Sequence, residues 1–307
     1  MIIDAHTHIF PAVNGQVGTG PVRGQALGRI LAGAQVRQLL PPLNARVEHT
    51  PDMLIAHMDW IGVDKAVLLQ GPFYGECNAY VAEAAARHPD RFIPAAYFDP
   101  WIEGSRRAFD DTLAKGAFRA VKLECSVATG LFGLHPRASL DSPELAWLWD
   151  ELERRGLVLV LDLGAVGSRS YQTDAVRGIA ALHPALRVVV AHLGQPNPAV
   201  EVDDELRALW LKQIDLGRLP NVWFDCAALP AYVSAEGFPF PSAAGYLRQA
   251  VERLGPAKIM WGTDLPSLFA HATYQQLLEW VKRALGGLQP AELDLVLGAN
   301  AQLVYGD

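Results

Sequence analysis

Cysteine is scarce in this chain: Cys77, Cys125 and Cys226 are its 3 cysteines, with no CxxC spacing among them. An odd count without paired spacing fits a reduced, cytoplasmic protein rather than a disulfide scaffold. Long apolar runs are absent too, and Met1-Ile2-Ile3-Asp4 lacks the basic and extended apolar stretches of a secretion signal, so no membrane partner is expected. Positive charge is in short supply. With 26 Lys and Arg against 33 Asp and Glu, the net charge is −7 and the pI about 5.7, which offers nucleic acid no basic patch. No low-complexity tract and no acidic or basic block occurs. What remains is a chain of 307 residues, 50% hydrophobic, able to bury a large core. A small-molecule substrate is the expected partner, and the sequence leaves self-association open.

What is present starts at once. Ile2, Ile3 and Ala5 read as a short buried strand, with His6 and His8 at its end. Side chains alternate along a strand, so Asp4, His6 and His8 are expected on one face and Ile3, Ala5 and Thr7 on the other. Two imidazoles so spaced on a rigid strand can bind one transition metal. Chance is the bland alternative among 9 histidines. The acids and histidine at later strand ends argue against it.

Residues 10–50 read as an irregular, lid-like insertion. Glycine and proline punctuate it, and Leu27, Ile30, Leu31, Val36, Leu39 and Leu40 suggest short helical pieces. It carries Arg23, Arg29, Arg37 and Arg46, of which Arg29 and Arg37 are expected to meet an anionic substrate. From Thr50 the pattern is regular. Strands are expected at 65–70, 92–98, 118–124, 157–163, 187–192, 221–226 and 258–264, separated by helical patterns, with an added helix at 290–297. Short Val/Ile/Leu-rich strands alternating with helices predict a (β/α)8 TIM barrel, one domain over 1–307. The competing doubly wound sheet lacks its GxGxxG turn.

Chemistry in such a barrel gathers at the C-terminal ends of the strands. Alternation brings Gln70, Lys122, Glu124, Asp162, His192, Asp225 and Asp264 there, beside His6 and His8. Acids rarely face a core unpaired, so a metal explains them most simply. Lys122 reads as the neutraliser of an interior carboxylate more readily than as a chemical group. Asp225 reads either as a rim acid or as an anchor for loop backbone.

These residues resemble the amidohydrolase superfamily, and within it the second amidohydrolase-related family, over nearly the whole chain. Ile3-Asp4-Ala5-His6-Thr7-His8 is similar to the family's first-strand metal motif. Arg187-Val-Val-Val-Ala-His192-Leu-Gly-Gln-Pro196 is similar to its sixth strand in sugar-lactonase relatives. Leu219-Pro-Asn-Val-Trp-Phe224 and Ile259-Met-Trp-Gly-Thr-Asp264-Leu-Pro266 resemble its seventh and eighth, and Asn300-Ala301 its closing helix. The resemblance implies one divalent ion, zinc ahead of manganese, held by His6, His8 and Asp264 with help from Glu124 or Asp162. One departure matters: relatives that bind a single zinc usually end the fifth strand in histidine, where this chain has Asp162. That tilts the reading from decarboxylation toward hydrolysis and leaves the metal less fixed.

The expected function is therefore metal-dependent hydrolysis of a small, carboxylate-bearing lactone, ester or amide by activated water. Asp264 is expected to move the water's proton and His192 to bond the carbonyl oxygen as charge develops on it. Gln70, Arg29 and Arg37 are the expected substrate contacts. The alternatives are a non-oxidative decarboxylase of a small aromatic or unsaturated acid, and a catalytically inactive binding barrel.

Overall fold

Runs of Val, Ile, Leu and Ala become parallel strands here because each is covered on both faces, by the barrel interior on one side and helices on the other. The computed structural model describes residues 1–306. Strand β1 (Ile3–Thr7) is followed by β2 (Asn14–Val17), β3 (Gly20–Gly24), β4 (Arg29–Ala32) and β5 (Gln35–Gln38), then by β6 (Lys65–Leu68), β7 (Phe92–Tyr97) and β8 (Ala120–Glu124). The chain goes on through β9 (Val158–Asp162), β10 (Val188–Val190), β11 (Val222–Asp225) and β12 (Ile259–Met260). One 8-stranded sheet has the order β1-β6-β7-β8-β9-β10-β11-β12. Its ends meet after β12, where Ala5 N donates to Trp261 O at 2.9 Å and His8 N to Leu265 O at 2.8 Å. The result is the nearly closed (β/α)8 barrel expected from the alternation.

Local chemistry sets the helix limits. Thr50 caps the helix Pro51–Ile61 by accepting from Met53 N, and Gly62 ends it in the left-handed region at φ 78°. At the other end of the chain, helical structure runs from Pro290 to Tyr305, beyond the expected 297. Ala301, Val304 and Tyr305 pack there with Ile3, Ala5, Val67, Ala95 and Val160, closing the barrel where its strands begin. Among the described residues no helix is long and apolar enough to cross a membrane.

Two expectations are corrected. Segment 10–50 is not helical: β2 to β5 form a 4-stranded antiparallel sheet over a core that includes Phe10, Val13, Val17, Val22 and Ile30. Its glycines turn the strands; Gly33, at φ 59°, brings its Cα side so near Thr19 O that a Cβ would lie 2.8 Å away. Nor does Asp4 share a face with the histidines. Ile3 and Ala5 face the barrel interior, while Asp4 accepts from the Thr263 hydroxyl at 2.6 Å. The β1–β6 register shifts between Asp4 and Thr7, and this irregularity breaks the simple alternation and lets both His6 and His8 reach the mouth.

Candidate active site

The mouth is built from β1 outward. His8 Nδ1 lies 2.9 Å from Leu69 O, which can only accept, so Nδ1 carries the proton and Nε2 the lone pair. His6 is fixed in the same way. Lys122 Nζ, a donor, sits 3.1 Å from His6 Nε2, while His6 Nδ1 turns to Asp225 Oδ2 at 3.0 Å. Burial depresses the pKa of both rings, with the Lys122 charge adding to the effect and the facing Asp264 carboxylate opposing it.

Both Nε2 atoms face one oxygen: Asp264 Oδ1 is 2.9 Å from that of His8 and 3.6 Å from that of His6. Burial works against the Asp264 anion, but His8, His192 and His6 outweigh it and hold the carboxyl well below the usual range. Asp264 sits at φ 66°, a left-handed conformation uncommon for aspartate, and Ser267 Oγ donates to its Oδ2 at 2.9 Å. Lone pairs facing a carboxylate call for a cation between them.

His192 also lies in left-handed backbone, at φ 60°, just beyond β10. Its Nε2 is 3.1 Å from Asp162 Oδ2 and its Nδ1 3.2 Å from Ala227 O. Burial opposes the imidazolium, but the Asp162 charge wins and pushes the pKa up to about 9. Both ring nitrogens thus face protein acceptors, and the ring lines the pocket.

The other expected site residues divide. Asp162 is saturated: besides His192 it accepts from Gln195 Nε2 at 2.7 Å and Gly164 N at 3.0 Å, so it orients His192 and is no part of the ligand cluster. Glu124 accepts from Ser126 Oγ at 2.6 Å and lies 3.5 Å from Lys122 Nζ. Burial, then the facing Asp162, push its pKa up to about 8. Gln70 stands outside the pocket lining. It is 2% exposed and joins Asn78 Oδ1, Ala95 O and Cys77 N, stitching the loop after β6 to β7. Arg29 and Arg37 are exposed on the small sheet and stand outside the pocket lining.

The pocket over these groups has a volume of about 410 Å³. Lys122 is its one Lys or Arg, and hydroxyls of Ser126, Ser168, Ser267 and Tyr232 share the lining with Leu39, Phe73 and Tyr74. Sequence reasoning missed Tyr74, Tyr232 and Leu39. The insertion does reach the mouth, but with a leucine.

The sequence profile of the amidohydrolase family matches residues 3–306. The chain belongs to the amidohydrolase family. Similar solved structures include an amidohydrolase from Burkholderia multivorans with bound zinc, at TM-score 0.72 and 19% identity over 99% of each chain. Another is a probable 2-pyrone-4,6-dicarboxylic acid hydrolase from Acinetobacter baumannii with citric acid bound, at TM-score 0.71 and 19% identity over 100% of this chain and 99% of that one. A third is the 5-carboxyvanillate decarboxylase of Sphingomonas paucimobilis, at TM-score 0.58 and 16% identity over 84% of each chain. Identities this low carry the fold alone.

Amidohydrolases of this superfamily usually depend on a metal, and the donor set here fits one. Ligand atoms of His6, His192 and Asp264 lie within 4.8 Å of one another, and His8 Nε2 faces the same Asp264 oxygen. His192 faces acceptors, Ala227 O and Asp162 Oδ2, with its two nitrogens, whereas His6 Nε2, His8 Nε2 and the Asp264 carboxylate have lone pairs to give. Asp225 and Leu69 O behind the rings fix the tautomers that ligation requires.

Proposed function

We propose that this chain is a hydrolase opening a small lactone or ester with water at the barrel mouth, assisted by one divalent ion held by His6, His8 and Asp264. Two imidazoles and a carboxylate favour zinc over manganese. The observation that carries the reading is the state of Asp264: anionic, its side chain 19% exposed in the pocket, and oriented by Ser267.

Bound there, the ion supplies positive charge that acidifies a water and polarises a carbonyl. The chain's own groups do the rest. Asp264 accepts the proton of the attacking water and returns it to the leaving oxygen. Asp225 and Leu69 O keep the Nε2 lone pairs of His6 and His8 turned inward. Phe73, Tyr74 and Tyr232 give an apolar wall to a small ring.

The lining offers no arginine clamp, so the expected carboxylate on the substrate loses its support. Decarboxylation is disfavoured on the same ground, since the reacting carboxylate would face Glu124, Asp162 and Asp264 with Lys122 and His192 already paired to acids. The test is a substrate panel on zinc-supplemented protein. Proton release from uncharged lactones and esters is expected. Carbon dioxide release from hydroxybenzoates, with no ring opening, would overturn the reading.

A further inference from the structure

His6 has one lone pair to give. With its Nδ1 turned to Asp225, that pair lies on Nε2, where Lys122 Nζ already stands 3.1 Å away. A divalent ion bound to His6 needs the same electron pair, and an ammonium so near would also repel it. Lys122 has a second place to go. Glu124 lies two residues on along β8, on the same face, with Oε2 3.5 Å from Nζ and Oε1 pinned by Ser126.

We propose that Lys122 is a built-in competitor for the metal: it caps His6 Nε2 while the ion is absent and moves onto Glu124 when the ion binds. This rests on the metal reading above and adds to it a group of the chain's own that lowers the ion's affinity. Lys122 suits the part on several grounds. It is 2% exposed, so its charge cannot be left to solvent, and Glu124, Asp162, Asp264 and Asp225 surround it. It offsets part of the negative charge at the mouth without an ion, because Glu124, Asp162, Asp264 and Asp225 all act on its ammonium. It also makes Glu124 matter to the metal without being a ligand: the acid is the berth that frees His6.

The test is zinc affinity, read by competition with a chromophoric chelator on metal-stripped protein, for wild type, Lys122→Met, Glu124→Gln and the double variant. Lys122→Met is expected to bind zinc at least about tenfold tighter than wild type. Glu124→Gln, which removes the alternative berth, is expected to bind about threefold or more weaker. In the Lys122→Met background the Glu124→Gln change should have no further effect, since Glu124 acts through the lysine. Melting curves check that each variant folds. If Lys122→Met does not, Lys122→Gln takes its place, and a Glu124→Gln affinity equal to wild type overturns the proposal without it. Wild type that binds zinc with Lys122→Met no tighter refutes the competitor alone. A Glu124→Gln effect that persists in the double variant refutes it too, by making Glu124 a ligand. Zinc binding by neither wild type nor Lys122→Met removes the metal reading together with the proposal.

Discussion

Asp225 Oδ2 lies 3.0 Å from His6 Nδ1, and this contact between β11 and β1 decides which nitrogen of His6 faces the pocket. The same carboxylate accepts the backbone N–H of His192 at 2.9 Å and that of Ala227 at 3.1 Å, so it also sets the turns beyond β10 and β11. It is at once backbone anchor and ring anchor. Asp225→Asn nearly keeps its shape but presents a weaker partner to the ring. Zinc affinity is expected to fall about 10–100-fold, as for other groups behind a metal-ligating histidine. Unchanged affinity by the chelator assay would separate Asp225 from the ligand function of His6.

Asp162 and His192 give a pH signature. His192 has its pKa raised in the fold to about 9, above the ordinary value of 6.5. A raised histidine contributes stability fully below pH 6.5 and loses it as pH climbs through 9. Glu124, raised from 4.5 to about 8 by burial and then by the facing Asp162, costs stability as pH climbs between those values, which overlaps this window up to pH 8. Wild-type melting temperature is therefore expected to fall between pH 6.5 and 9. Asp162→Asn should start lower at pH 6 and fall less steeply. Parallel wild-type and variant curves would contradict the ion pair.

The arginines of the small sheet give a prediction of no effect. The double variant Arg29→Ala, Arg37→Ala should leave KM within about twofold for every accepted substrate, acidic ones included. A rise in KM confined to acidic substrates would bring the insertion back as a recognition element.

Gln70→Ala should cost stability rather than chemistry. It leaves Asn78 Oδ1, Ala95 O and Cys77 N short of partners in a buried loop, a loss of about 1–3 kcal/mol. Urea unfolding reads that loss, and kcat/KM per folded molecule should hold. A drop in kcat/KM with no change in stability would return Gln70 to the substrate.

The barrel was legible because each strand is short, apolar and followed by a helix, and alternation put Lys122, Glu124 and Asp162 on the interior face where they stand. The small sheet was not. Its period of two is present, with Val13, Gly15 and Val17 buried between exposed Asn14 and Gln16, but glycines and prolines disguised it as loop. At β1 the register shift has no mark in the residues themselves. Alternation also pointed to His192 and Asp264, but both lie past their strands in left-handed backbone, so the turns after β10 and β12 rather than the period of two place them. The face of Asp162 was legible and its hydrogen bonds were not, because its partners Gly164 and Gln195 come from loops that alternation does not order.

The account turns on Asp264, and one comparison tests it most directly: kcat/KM for lactone opening by wild type and Asp264→Asn, with zinc content measured in both. Removing a general base is expected to cost about 10²–10⁴-fold while the circular dichroism spectrum is unchanged. An Asp264→Asn protein within tenfold of wild type at equal zinc content would show that the proton goes elsewhere, and the proposed hydrolysis would lose its base.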